Sequence, residues 1–146
     1  MFVIVSALII IADQFAKNWV VNNMMLGSHI DWGAGDIFSF HYIQNNGAAY
    51  SILQGRQTLL ILFTLAVMIG IVAYVIAYRK KTSKFEIFSL ALILGGGIGN
   101  LIDRVLNGYV VDFIDIHIIP VFNVADIGIT VGCILFAIAV LFSKKQ

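Results

Sequence analysis

Five of the eight acidic residues of this chain sit in short polar clusters inside or beside long apolar runs. They are Asp13 in Asp13-Gln14-x-x-Lys17, Asp103 in Asn100-x-x-Asp103-Arg104, Asp112 and Asp115 in Val111-Asp112-Phe113-Ile114-Asp115, and Asp126 in Asn123-x-x-Asp126. A carboxylate at membrane depth is costly, so its presence is a functional hypothesis: proton chemistry, an ion path or a bound substrate. Asn100, Asp103 and Arg104 share a helix face by their i,i+3 and i,i+4 spacing, and Asn123 and Asp126 repeat it. Asp13 and Lys17 stand i,i+4, acid first, which reads equally as a helix-packing ion pair. The asparagines suit interhelical hydrogen bonding, and orienting a carboxylate is the same physical act. Asp103 with Arg104 reads either as a scaffold pair or as part of a site.

Other motifs carry less. Gly95-Gly96-Gly97-x-Gly99 lacks the third glycine of a dinucleotide fingerprint and the Lys-Ser/Thr of a P-loop. Inside an apolar run it reads as close helix packing. Asp112, Asp115 and His117 gather no second histidine in sequence, so no metal site and no cofactor are expected. His29 and His41 read as surface residues, and Ser51 has no His-Asp partners in register. Asp31, Asp36 and Glu86 read as solvated loop or interface charges.

The elements that position these residues follow from composition. Hydrophobic residues make up 60% of the 146-residue chain and charged ones 12%, about half the charged share of a soluble domain. This is an integral membrane protein, expected as one membrane-embedded domain over 1–146. A net charge of +1 gives no case for nucleic acid. The single cysteine, Cys133, excludes an internal disulfide. Apolar runs at about 1–21, 59–78, 85–106 and 122–142 each approach the ~20 residues that cross a bilayer. The first has no basic leader and is followed by Asp13-Gln14 rather than a cleavage site, so it reads as a retained span. The expected fold is all-α, with four transmembrane helices.

The basic clusters Arg79-Lys80-Lys81-Thr82-Ser83-Lys84 and Lys144-Lys145 belong in the cytoplasm. Both termini are then cytoplasmic, and residues 23–58 and 107–121 face outward. Glycines interrupt 23–58, and Ile37-Phe38-Ser39-Phe40-His41-Tyr42-Ile43 is β-like. A small β-rich element is expected there, between helices 1 and 2, resting on lipid through Trp32, Phe38, Phe40 and Tyr42. Asp103 lies about 27 Å along the third span, Asp126 about one turn into the fourth, and Asp13 and Lys17 in the outer half of the first. Polar residues from three spans therefore meet near the outer interface. An ion-coupled transporter would use similar residues, but favours midplane sites and repeats, and no repeat is present. A structural subunit leaves the convergence of carboxylates without a reason.

At these residues the chain resembles the lipoprotein signal peptidases, the signal peptidase II family. The resemblance runs through Asp13-Gln14-x-x-Lys17, Asn45-Asn46-Gly47-Ala48-Ala49-Tyr50, Gly99-Asn100-x-x-Asp103-Arg104, Val110-Val111-Asp112-Phe113-Ile114 and Phe122-Asn123-x-Ala125-Asp126, in order. Tyr50 departs mildly, since the family often has Phe there. The resemblance implies an aspartyl endopeptidase of the bacterial cytoplasmic (inner) membrane. Its substrate is a prolipoprotein signal peptide, cut just before a diacylglyceryl-modified lipobox cysteine. Asp112 and Asp126 match the catalytic pair, with Asp103 a close third. Asn45, Gly47, Asn100, Arg104 and Asn123 match positions that shape the site and hold substrate or globomycin-type cyclic peptides. Asp13 and Lys17 fall among the supporting residues. A monomer in contact with membrane lipid is expected.

Two aspartates suit such a task. Like charges close together cannot both ionise easily, so one carboxyl keeps a proton while the other stays charged. The charged one takes a proton from water, and the neutral one hydrogen-bonds the scissile carbonyl. On this reading Asn123 fixes Asp126, and Asn100 fixes Asp103 or the loop bearing Asp112.

Overall fold

A computed structural model describes residues 1–31, 38–47 and 55–142. Trp32, Asp36, Tyr50, Ser51, Lys144 and Lys145 lie outside the described residues. The helices are α1 Phe2–Asn23, α2 Gln57–Tyr78, α3 Lys84–Leu106 and α4 Val124–Phe142. Each is long and apolar enough to cross a membrane, and each end lies within two residues of the expected span. The strands are β1 His29–Asp31, β2 Ser39–Asn45 and β3 Val110–Asp115.

The glycines of α3 explain why it is the central helix. A Cβ on Gly95 would sit 2.8 Å from the Ser6 carbonyl oxygen of α1, and one on Gly97 would meet the end of Met68 of α2. A Cβ on Gly96 would run into the Ala125 carbonyl oxygen of α4. Three successive glycines thus let three different helices approach one backbone. Dense apolar packing, not a hydrophobic drive, holds helices together in lipid, and small residues permit it. By contrast α2 buries only Leu60 and Met68 among its described residues, and its flanks Leu62, Phe63 and Ile69 face outward. Such surfaces are at home against acyl chains. Gly96→Val is expected to cost about 1–3 kcal/mol by overpacking against rigid backbone. Gly97→Ala should cost clearly less, because the Met68 thioether can turn aside. Thermal unfolding of the two purified variants in detergent checks the order.

The three strands form one antiparallel sheet in the order β1-β2-β3. Two of them come from the segment where a β-rich element was expected. The third, β3, comes from the connection between α3 and α4, which had been read as a loop. Its sequence Val110-Val111-Asp112-Phe113-Ile114-Asp115 is rich in β-branched and aromatic residues, so the strand signal was present. Ile43 of β2 pairs with Asp112, and Asn45 with Val110. A bulge between Phe40 and Ile43 shifts the register.

The sheet seats itself on the end of α1. Val20, Met24, Tyr42, Val111 and Phe113 form a buried cluster, with Phe40 packed against it. Tyr42 therefore faces inward, correcting the expectation that it rests on lipid, while Phe40 is half-buried against the same cluster. The sheet must cover the top of α1, and its aromatics are the residues able to do so. Glu86 is also not solvated: it is buried. Its carboxylate accepts from the Ser83 N–H at 2.8 Å while the Ser83 hydroxyl accepts from the Glu86 N–H. Ser83-x-x-Glu86 is a capping box that starts α3.

Candidate active site

Three asparagines organise the polar cluster, and each has its amide oriented by a group that can only donate. Lys17 is an ammonium with three donors. It reaches Asp13 at 2.8 Å and Asp103 at 3.1 Å, and donates to the Asn100 Oδ1 at 3.0 Å. The Asn100 carbonyl must therefore face Lys17, which turns its NH2 to Asp126 Oδ1 at 2.8 Å. The Gly47 backbone N–H donates to Asn45 Oδ1 at 2.9 Å, so the Asn45 NH2 points at Asp112 Oδ2, also at 2.9 Å. The Asp126 N–H donates to Asn123 Oδ1 at 2.9 Å, and the Asn123 NH2 reaches Asp112 Oδ1 at 2.7 Å. Each position needs a neutral side chain with an acceptor on one side and a donor on the other. Aspartate has no donor to offer a carboxylate, and Ser cannot span the gap as rigidly.

Secondary structure delivers these groups. Asn123 precedes the first residue of α4, and its backbone N–H lies 3.3 Å from Asp126 Oδ2. Asn123-x-x-Asp126 is thus a reciprocal cap of the helix as well as a link to Asp112. Asn45 reaches Asp112 diagonally across the β2–β3 ladder, two residues beyond its pairing partner Ile43. Arg104, in the last turn of α3, donates to the Gly47 carbonyl at 3.3 Å. Its Nε is buried and has no partner among the described residues.

Asp103 occupies a different place from Asp112 and Asp126. Its Oδ2 accepts from the Val111 N–H at 3.0 Å, and Gln14 Nε2 donates to its Oδ1 at 3.1 Å. With Lys17 beside it, both oxygens are committed to holding β3 and α1 against α3. Asp13 is fully buried; it accepts from the Ala125 N–H at 2.9 Å and ties α1 to the first turn of α4. Asn100 binds Asp126, not Asp103 or the β3 backbone, correcting one expectation. Its direction is set by Lys17, which the spacing of α3 alone does not reveal. Gln14 had not been singled out as a site residue. It lies in the Asp13-Gln14-x-x-Lys17 motif and bridges Asp103 and the Gly99 carbonyl.

Asp112 and Asp126 both border a cavity of about 320 Å³, together with Asn45, Asn100 and Arg104. Ile119, Val121, Phe122 and Ile129 give it an apolar wall. A second hollow of about 260 Å³ continues from Asp126 and Phe122 along Ile127 and Val131 on the outer side of α4. Burial, and then the charge of Asp126, push the Asp112 carboxyl up to about 7. The hydrogen bonds from Asn45 and Asn123 and the more distant Lys17 charge work the other way and do not prevail. Near neutral pH the site therefore contains a carboxyl able to keep a proton beside a second carboxylate. The arrangement suits paired acid and base work.

The family model for "Signal peptidase (SPase) II" matches residues 5–142. A lipoprotein signal peptidase of Clostridium novyi is 43% identical over 93% of this chain and 94% of its own. One from Brevibacillus brevis is 41% identical over 99% of this chain and 97% of its own. A solved bacterial membrane enzyme superposes with a TM-score of 0.90 at 33% identity, covering 99% of this chain and 91% of that one. By sequence along almost its whole length and by fold, the chain belongs to the signal peptidase II family.

Proposed function

We propose that this chain cleaves the signal peptide from diacylglyceryl-modified prolipoproteins, just before the lipidated cysteine, with Asp112 and Asp126 as the aspartate pair. The observation that carries the reading is the bridge made by Asn123, whose NH2 donates to the Asp112 carboxylate while its carbonyl accepts the Asp126 backbone N–H and its own backbone N–H reaches the Asp126 carboxylate. Asp126, whose oxygens accept from Asn100 and from the Asn123 backbone, takes a proton from water. The water oxygen attacks the scissile carbonyl carbon while Asp112 gives its proton to the carbonyl oxygen. Asp126 then passes its proton to the leaving nitrogen, and Asp112 recovers its own as the carbonyl reforms. The Arg104 guanidinium borders the cavity, where it can meet a substrate carbonyl. The apolar hollow beside Asp126 suits the acyl chains of the lipidated residue, and globomycin-type cyclic peptides would enter the same cavity. Asn45, Gly47, Asn100, Asp103, Arg104, Asn123, Asp13 and Lys17 support the pair. A single membrane-embedded domain over 1–146, acting as a monomer and without nucleic acid, suffices for this task. A gel-shift assay with a lipidated prolipoprotein tests the activity: the purified chain should convert it, and Asp112→Asn should not.

Turnover depends on one proton shared by the pair. The raised pKa of Asp112 means the proton is held below about 7 and lost above it. Activity is expected to fall as pH rises through that value, with the limb belonging to the pair as a whole. A pH–rate profile in nanodiscs checks this, and a rate constant to pH 9 counts against the shared proton.

The bilayer orientation is part of the same proposal: bacterial cytoplasmic membrane, both termini cytoplasmic, the pair near the outer leaflet. Arg79, Lys80, Lys81 and Lys84 between α2 and α3 support it. Single cysteines placed at Ser83 and Asn107, in a chain lacking Cys133, should label from opposite sides of the membrane. Labelling of both from outside overturns this topology.

A further inference from the structure

On the other face of the sheet, residues read in sequence as separate surface groups come together. His29 and His41 are register partners across β1 and β2, and their rings stack with centroids 3.7 Å apart. Asp115 of β3 puts Oδ2 at 3.7 Å from His41 Nδ1. One ligand atom from each of the three lies within 4.8 Å of the others. We propose that His29, His41 and Asp115 form a binding site for a first-row divalent cation, with zinc as the ion of choice.

Chemistry and surroundings favour this over a chance contact. Two imidazoles and one carboxylate are a donor set that zinc takes readily, leaving a fourth position for water. Metal–ligand bonds of about 2.0–2.1 Å require ligand atoms about 3.3 Å apart. His29 is exposed, so rotation of its ring closes the remaining distance. Asp115 is buried, and its Oδ1 already accepts from the His117 N–H at 2.8 Å, leaving Oδ2 free toward the histidines. Such an outer hydrogen bond is what fixes a carboxylate ligand. Ser39, the register partner of Asp115, is 1% exposed, and its hydroxyl has no partner among the described residues.

The site joins one residue from each strand. A bound ion would clamp β1 to β2 and β2 to β3, the two strands that also carry Asn45 and Asp112. It lies apart from the cavity, because Asp112 and Asp115 are three residues apart on one strand and so point to opposite faces. Its role is bracing the sheet, and hydrolysis by the aspartate pair needs no ion here.

The test uses the full chain without a histidine tag, stripped by chelator, in nanodiscs. Zinc titrated by calorimetry should bind at one equivalent and raise the melting temperature. His29→Ala, an exposed substitution that leaves the fold intact, should weaken binding by more than about tenfold. It should abolish the thermal gain and leave zinc-free turnover unchanged. Asp115→Asn should weaken binding similarly. Absence of saturable binding overturns the site. So does binding that survives His29→Ala but is lost in Asp112→Asn, which would put the ion on the catalytic carboxylates. Neither outcome bears on whether the chain cleaves prolipoproteins.

Discussion

Replacing either Asp112 or Asp126 by Asn is expected to lower turnover by about 10²–10⁴-fold, the range for loss of a positioned acid or base. The double variant is expected to lose little more than either single one, because the two carboxyls act as a unit. Substrate binding should persist, since the cavity wall of Ile119, Phe122 and Ile129 is untouched. Circular dichroism should remain helical. Asp103→Asn is the internal comparison. Its partners are Lys17, Gln14 and the Val111 backbone, so its loss should weaken the fold more than it selectively removes chemistry. Activity retained in Asp112→Asn together with an inactive but stable Asp103→Asn would move the pair to Asp103 and Asp126. A further readout comes from the pH dependence of stability. The folded chain raises the pKa of Asp112 from 3.8 to about 7. Deprotonation is thus harder in the folded than in the unfolded state, so stability declines as pH rises across that window and levels off above it. Asp112→Asn should flatten this slope.

Lys17→Met is expected to be the most destabilising single change, by about 3–5 kcal/mol. Lys17 is 3% exposed and stands between two buried carboxylates and Asn100. Removing the ammonium takes the paired cation from Asp13 in a region of low dielectric and leaves Asp103 to the Arg104 guanidinium. It also removes one of the two donors that orient the Asn100 carbonyl, leaving the Asn123 NH2 at 3.1 Å, so turnover is expected to fall along with stability. Combining Lys17→Met with Asp13→Asn and Asp103→Asn should restore much of the stability, because no unpaired buried carboxylate remains and the two asparagine amides can hydrogen-bond. Restored stability without restored turnover would separate the charge cost from the positioning of Asp126. Unfolding measured in detergent within about 0.5 kcal/mol of the parent would show that this ion network contributes little.

The spans were legible because twenty-residue apolar runs have few other uses, and the glycines of α3 because lipid offers no other reason for four in five positions. Convergence of the polar residues at one end of the bundle also followed, since helix rise and charge asymmetry set depth. What did not follow was any contact that depends on rotation about an axis. Asn100 and Asp103 share a face of α3 in sequence, yet one turns to α4 and the other to β3. Their partners are chosen by Lys17 and by the Val111 backbone, 83 and 8 residues away respectively. The strand β3 was missed because a short segment between two spans was taken for a connector. With it went the pairing that brings Asp115 to His41. His29 and His41 are twelve residues apart and look unrelated until the β1–β2 register is known.

The cap that begins α4 has a kinetic meaning. Asn123 closes the first turn of that helix with the same side chain that holds Asp112. Fraying of the helix end therefore also loosens one of the two asparagine ties on Asp112, the other coming from Asn45. The amide hydrogen of Asp126 is the one donated to Asn123. Its exchange with deuterated solvent counts how often that cap opens. A single backbone proton, followed without substrate and without turnover, then reports how often Asn123 releases the helix end beside Asp112.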